Sequence, residues 1–388
     1  MRVLLVIDHF GSGGAQRQIV ELAGGLMRRG HVVEMFVYFP DHDFFRGRLD
    51  LEQIPVHECP KAARGSVGVV LGLARVMRRG GFDVAASFLN TANLYAELAR
   101  LAAPRIRLIV SERSSFHDDR SAVRALLRRL LHLLADRVVA NSQTQTEWLQ
   151  SRRWLRGRVS CIYNGVDLER FRPAEPAAQL QGQTGKSLQL LGVGRIGPEK
   201  NLHNLFLALA GFGRKFGYVP EVSWAGERDP SRAGQRYCGE LDRLLATLPA
   251  VRRHWQWLGL RSDIPELLRR CDALVHPSLY EGMPNAVCEA LAAGRPVLAS
   301  AVCDHPLLVA DGSRGFLFDP RSPDSIGAAI ARMALLDHDA RRALGRNARD
   351  YAEAHLGLET MVDRYQALFE GLLRAAHRGG TRADVHEE

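Results

Sequence analysis

Short apolar runs alternate along this chain with glycine loops and with stretches whose apolar positions recur at helical spacing. Arg2–Asp8 is a continuous apolar run of the kind buried on both faces of a sheet. The loop His9-Phe10-Gly11-Ser12-Gly13-Gly14 follows, then a helix with Ile19, Leu22, Ala23, Leu26 and Met27 on one face. Gly30 reads as its cap and Val32–Tyr38 as the next strand. The same plan predicts strands at Val84–Phe88, Arg107–Ser111 and Arg137–Asn141, and an amphipathic helix from about 120 to 135 with Val123, Leu126, Leu127, Leu130, Leu131 and Leu134 on its apolar face. It resumes at Leu188–Val193, with a helix from Leu202 to Phe212 and strand ends at Val222–Gly226 and Gln256–Gly259. Ala273–His276 predicts a buried strand, Ala286 to Leu291 a helix capped by Gly294, and Pro296–Val302 a further strand. Asp311-Gly312 and Gly315-Phe316-Leu317 read as a β-hairpin or edge turn, and residues 323–376 as helical. Strand–loop–helix–strand units of this kind build parallel sheets, so the fold class is α/β with Rossmann-like units. At 388 residues the chain is long for one core and sufficient for two. Residues 174–187, polar and without apolar period, read as the linker between them.

Composition narrows the class. Hydrophobic residues make up 46% and charged residues 24%, ordinary for a globular domain, and no apolar run reaches the ~18 residues of a membrane span. The start, MRVLLVIDHF, is too short an apolar run for a signal peptide, which predicts a cytoplasmic chain. The six cysteines form no C-x-x-C pair, against a disulfide framework or a zinc site. The net charge is +9, and of the 52 basic residues only four are lysine: Lys61, Lys186, Lys200 and Lys215. A basic balance suggests an anionic partner, a membrane face or a nucleic acid. Arg120, Arg124 and Arg128 form a basic row on the helix near 120–135, and Trp148, Arg152, Arg153, Trp154 and Arg156 mix aromatic with basic residues. Each segment reads either as a core-facing element with a solvated arginine face or as a surface for anionic lipid.

The candidate chemistry sits in two loops. In the unit spanning 271–302, Glu281 lies in the loop after a strand and Glu289 in the following helix, with Gly282, Met283, Pro284 and Asn285 between them. The first-turn N–H groups of that helix favour a phosphate. Carboxylates beside a phosphate site point to sugar hydroxyls, and together they suggest a nucleotide-sugar. At 194–201, Gly194-Arg195-Ile196-Gly197-Pro198-Glu199-Lys200-Asn201 again joins a strand to a helix, and two cations facing a helix N-terminus make a diphosphate clamp. The loop at Gly11 invites comparison with a dinucleotide fingerprint, but Gln16 stands where its third glycine belongs.

Glu281–x7–Glu289 followed by Ala290, Gly294, Pro296 and Val297 resembles the signature of the family-four retaining glycosyltransferases (glycosyltransferase group 1). Gly194-Arg195 with Glu199-Lys200 is similar to that family's Gly-Arg…Glu-Lys motif, and Gly13-Gly14-Ala15 to its Gly-Gly-Ala loop. Asn164-Gly165-Val166-Asp167 is similar to its turn between domains. The resemblance implies the GT-B fold, two Rossmann-like domains facing each other across a cleft. An N-terminal acceptor-side domain would span 1–175, a linker 176–187 and a donor domain 188–356. The last helix, about 357–375, would pack back on the first domain, ahead of a polar tail at 379–388. The resemblance makes Glu281, Arg195 and Lys200 the catalytic candidates. Gly13, Gly14, Gly194, Arg195, Lys200, Arg261, Glu281, Gly282, Met283, Pro284, Asn285 and Glu289 would bind the donor, Glu289 at the ribose and Arg261 near the base. The family often places a histidine after the strand at 107–111; here Ser111-Glu112-Arg113 occupies that stretch, leaving Glu112, Arg113 or His117 as acceptor-side candidates. The implied activity is retaining transfer from a nucleoside-diphosphate sugar, UDP by preference, to a lipid-linked or oligosaccharide acceptor. The expected setting is bacterial cell-surface polysaccharide or lipopolysaccharide synthesis, peripheral on the inner face of the cell membrane. No cofactor, metal or nucleic acid is expected. A sugar-nucleotide 2-epimerase of the same fold and a basic nucleic-acid-binding protein are the alternatives.

Overall fold

The computed structural model describes residues 1–113, 130–173 and 187–380. They fall into two compact units, Met1–Gly165 with the segment from Leu358 onward, and Val166–Gly357. The stretches 114–129, with His117, Arg120, Arg124 and Arg128, and 174–186, most of the expected linker, lie outside the described residues, as does the tail from 381.

The first unit is a seven-stranded parallel sheet. Its strands are β1 (Arg2–Val6), β2 (Val32–Val37), β3 (Val56–Glu58), β4 (Val84–Phe88), β5 (Arg107–Glu112), β6 (Arg137–Ala140) and β7 (Val159–Cys161), in the order β3-β2-β1-β4-β5-β6-β7. Alternation along β1 sends side chains to two separate cores. Val3 and Leu5 pack with Ile19, Leu22 and Leu26 of α1 (Gly14–Arg28) and with Val362, Tyr365 and Phe369 of the helix Leu358–Gly380. Leu4 and Val6 pack on the other side with Leu73 and Met77 of the helix Lys61–Arg79 and with Tyr95 and Ala99 of the helix Asn90–Arg100. Both faces are covered, which is why β1 reads as an unbroken apolar run. Trp148, on the helix Gln143–Gln150, and Trp154, in the turns after it, are half-buried and pack against this second core rather than standing free on the surface.

The second unit has six parallel strands, β8 (Gln189–Val193), β9 (Glu221–Ala225), β10 (Trp255–Gly259), β11 (Ala273–His276), β12 (Val297–Ser300) and β13 (Gly315–Phe318), in the order β10-β9-β8-β11-β12-β13. Trp224 is fully buried and stacks on Trp255, with ring centroids 6.2 Å apart. Its indole N–H donates to the Gly194 carbonyl at 2.8 Å, which ties the core to the loop after β8. Glycine is required at Gly226, whose φ is 155° and where a Cβ would lie 2.0 Å from the Gly194 oxygen. Of the two readings of 311–317, hairpin or edge turn, the structure has the edge turn. Gly312 N–H closes a turn on the Gly315 carbonyl, and β13 then pairs parallel with β12 as the edge strand. A crossover through the helix His305–Val309 brings the chain round, and parallel pairing is its outcome.

Strand order reverses between β8 and β11, which pair directly, Ala273 beside Leu190. The loops leaving the carboxyl ends of these two strands therefore lie side by side, the place where open α/β sheets bind ligands.

Candidate functional site

The loop after β8 is locked by Asn201. Its backbone sits in the left-handed region at φ 54°, where asparagine is tolerated. Its amide donates to the Pro277 carbonyl at 3.1 Å and to the Pro320 carbonyl at 2.7 Å, joining the loops after β8, β11 and β13. Leu279 N–H donates to the Glu199 carbonyl at 2.8 Å, and Ser300 Oγ to the Ser278 carbonyl at 2.6 Å. This frame brings together two residues 81 positions apart: Lys200 Nζ lies 2.5 Å from Glu281 Oε1. Both side chains are mostly buried. Burial opposes the charge on Glu281, but Lys200 and His276 outweigh it and hold its carboxyl well below the usual carboxylate range.

The helix Asn285–Ala292 starts beside this pair. Pro284 is its N-cap and offers no side-chain acceptor to the first-turn N–H groups. Gly282 is half-buried, Met283 buried and Asn285 half-buried along the approach to the helix. Glu289 is buried on the same helix, eight positions after Glu281. Gly294, at φ 64°, ends the helix. Arg195 is the exposed cation of the group; its side chain is 61% exposed and its guanidinium meets Glu199 only loosely, at 3.8 Å. Arg261 is on the surface, paired with Asp263 at 2.5 Å.

His276 and His305 were not singled out in the sequence. His276 Nε2 lies 2.9 Å from Glu281 Oε1, and His305 packs edge-on against the His276 ring. Burial, with His276 adjacent, pushes His305 down to about 4, and burial also lowers His276. The available signal was a polar residue closing the apolar run Ala273–Val275, immediately before Pro277-Ser278.

In the first unit, Gly13 is the N-cap of α1 and Gly14 its first residue. Gln16 donates from its amide to Asp8 Oδ1 at 2.9 Å, so the residue that breaks the dinucleotide fingerprint braces the loop instead. Glu112 is buried at the end of β5 and faces His132 Nε2 at 3.2 Å, while His132 Nδ1 lies 2.5 Å from Glu97 Oε1. Burial opposes the charge on His132, yet the two carboxylates raise it to about 9. Arg113 is also buried. Its guanidinium donates to Ser111 Oγ (3.1 Å), Asn164 Oδ1 (2.8 Å) and Tyr365 Oη (3.0 Å) and lies 3.8 Å from the Phe88 ring centroid. Its fork is thus taken up inside the unit. His117 lies outside the described residues.

Among the described residues no group of three or more His, Cys, Asp or Glu is placed to hold a metal ion, and no helix is long and apolar enough to cross a membrane.

Residues 177–351 match the family model described as glycosyl transferases group 1, and residues 12–170 the model described as glycosyltransferase family 4. The chain is 30% identical over 216 residues to the UDP-Gal:alpha-D-GlcNAc-diphosphoundecaprenol alpha-1,3-galactosyltransferase of Escherichia coli, a match covering 55% of this chain and 54% of that protein, so it spans about half the length of that relative. It is 25% identical over 376 residues to the lipopolysaccharide glucosyltransferase WaaG of Escherichia coli K12, covering 89% of this chain and 92% of that one. The structure of Anabaena HepE in complex with UDP-glucose superposes with a TM-score of 0.82 over 96% of this chain and 100% of that one, at 22% identity, a likeness of fold. The chain belongs to the family-four, group 1 glycosyltransferases and has the GT-B fold, two Rossmann-like α/β units.

Proposed function

We propose that this protein transfers a hexose with retention of anomeric configuration from a UDP-sugar to a lipid-linked glycan in cell-surface polysaccharide or lipopolysaccharide synthesis. The observation that carries the reading is the Lys200–Glu281 pair beside an uncapped helix N-terminus at the switch point of the second sheet. A cation there meets a diphosphate, and a carboxylate meets sugar hydroxyls. Lys200 and the exposed Arg195 stabilise charge as the diphosphate leaves, the largest electrostatic contribution in such a transfer. Glu289 holds the ribose, and Glu281 orients the transferred sugar and supports an oxocarbenium-like state. The acceptor hydroxyl attacks from the face the diphosphate leaves, within an ion pair, and gives its proton to the departing phosphate.

The names of the relatives support the choice of donor and acceptor. One acts with UDP-galactose on a diphosphoundecaprenol-linked sugar, one is a lipopolysaccharide glucosyltransferase, and the HepE structure holds UDP-glucose. The proposed site needs no metal and no nucleic acid. The proposed location is the inner face of the cell membrane, held by the basic surface; flotation with anionic liposomes at low salt tests this, and absence of binding would refute it.

The test of the reaction is a thermal-shift screen of wild type and Glu289→Ala against UDP, GDP, ADP, CMP and NAD. A ligand at 100 times its Kd stabilises by about 2.7 kcal/mol. A shift with UDP that is lost in Glu289→Ala supports the reading. A shift with NAD alone overturns it. Turnover unchanged by EDTA supports metal independence.

A further inference from the structure

Glu281 is held by three contacts, and only one of them is a charge. Lys200 Nζ and His276 Nε2 converge on the same oxygen, Oε1, at 2.5 and 2.9 Å, while Glu281 N–H meets Cys303 Sγ at 3.4 Å. Among the described residues no donor meets Oε2. His276 is the last residue of β11, in register with Ala299, and its side chain is 1% exposed. Its ring packs against His305, centroids 5.4 Å apart at 83°, and His305 is pinned by its Nδ1–H to the Ser300 carbonyl at 2.7 Å. Ser278 Oγ lies 3.2 Å from His276 Nε2. Neither the position nor the rotation of this ring is free.

The proton on His276 has one sensible place. Nδ1 is buried without a partner among the described residues. A proton there would leave a buried donor unmet and turn the Nε2 lone pair toward a carboxylate, both unfavourable. A proton on Nε2 satisfies Glu281 and leaves only a bare acceptor. The charged and titratable groups around the ring are Glu281 from its own loop, Lys200 from the loop after β8 and His305 after β12, with Cys303 beside Glu281. Burial disfavours an imidazolium, the hydrogen bond to Glu281 opposes that, and Lys200 adds to it.

We infer that His276 is a positioning residue for the transfer: its Nε2–H holds the Glu281 carboxylate in place when Lys200 turns from that carboxylate to the donor's diphosphate. This rests on the proposed glycosyl transfer at the site. An ammonium on a four-carbon stem is mobile, and a diphosphate competes for it more strongly than one carboxylate. A Glu281 held by Lys200 alone would lose its orientation as the donor arrives. The histidine ring, fixed by strand and neighbour, keeps Oε1 occupied and leaves Oε2 for a sugar hydroxyl. A neutral donor serves here because it holds the carboxylate without a second charge beside Lys200.

The test has two arms on the full chain. In the first, ¹⁵N NMR of histidine-labelled protein at pH 7, assigned with His276→Gln, reads the tautomer with and without UDP. A protonated Nε2 and a bare Nδ1 in both states are expected; an imidazolium or an Nδ1–H tautomer overturns the inference. In the second, turnover of UDP-glucose to UDP is followed in wild type, His276→Leu and His276→Gln. His276→Leu should lose about 10²-fold in kcat, the cost of a misplaced reacting group, with KM within about threefold. The acid limb of its kcat profile should move to higher pH, because Glu281 has lost a donor to its charged form. His276→Gln, which returns an amide N–H to the reach of Oε1, should recover most of the rate. Equal loss in both variants with an unmoved acid limb marks a packing residue and overturns the inference alone. An inactive wild type with the expected tautomer counts against the glycosyl-transfer reading alone.

Discussion

Replacing Lys200 by methionine keeps most of the aliphatic stem and removes the only cation paired with Glu281 among the described residues. The side chains are 14% and 15% exposed, so the carboxylate is left mostly buried and uncompensated. Removing one partner of a buried pair costs about 3–5 kcal/mol. His276 still donates to Oε1, which places Lys200→Met near the lower figure, about 3 kcal/mol. For a unit of this size that lowers Tm by roughly 6–12 °C. The pH dependence is the sharper readout. In the wild type the folded Glu281 lies well below its ordinary value of 4.5, so its contribution is full above 4.5 and disappears as pH falls through the folded value. Without Lys200, burial is the leading effect and raises the folded value, so the penalty is full at neutral pH and relieved on acidification. The Tm gap between wild type and Lys200→Met should therefore narrow from pH 7 to pH 5. Calorimetry across that range, with Glu281→Gln and the double variant, closes a double-mutant cycle. The double variant should be more stable than Lys200→Met at pH 7. A gap that does not change with pH, or a double variant no better than the single, would refute the coupling.

Arg195→Met should leave Tm almost unchanged, since exposed pairs contribute about 0–1 kcal/mol, yet lower turnover about 10²–10³-fold by analogy with the loss of an oxyanion donor; a stable variant with full activity would remove Arg195 from the site. Arg113→Met should destabilise by about 2–3 kcal/mol, because buried acceptors lose their donors, and Arg113→Lys should rescue little, since one ammonium cannot fork to Ser111, Asn164 and Tyr365; urea unfolding checks both. His132 gains stability from its raised value, present in full below 6.5 and lost as pH rises through about 9. The stability difference between wild type and His132→Gln should therefore shrink between pH 7 and pH 10 in urea titrations, and a difference that stays level across that range would contradict the buried imidazolium.

The strands were legible because burial on both faces writes them as apolar runs. Val84–Phe88 and Ala273–His276 fall where the pattern puts them. The helices Lys61–Arg79 and Asn90–Arg100 were less visible. The first is broken at Gly65, φ 63°, and presents Arg64, Val67 and Leu71 to solvent, which blurs its apolar stripe. At 311–317 hairpin and edge turn stayed open because Gly312 and Gly315 give a turn signal regardless of how the following strand pairs; the helix before it makes the pairing parallel, and the edge turn is what forms.

At the site, glycine loops and the charged residues beside them pointed to Lys200 and Glu281, and the structure brings these two together because loops at the switch point converge whatever their distance in sequence. What the residues could not reveal is who touches whom. Arg113 was a candidate because it stands where the family often has a histidine, but its neighbours come from positions 164 and 365, and only the fold supplies them. His276 looked like one more residue of a buried strand for the converse reason: its partner Glu281 is near in sequence, yet its packing partner His305 is one strand further on. A histidine in an apolar run carries no mark that separates a filler from a donor. The mark is the carboxylate oxygen it shares with a lysine 76 positions upstream, and that follows from β8 and β11 being neighbours in the sheet.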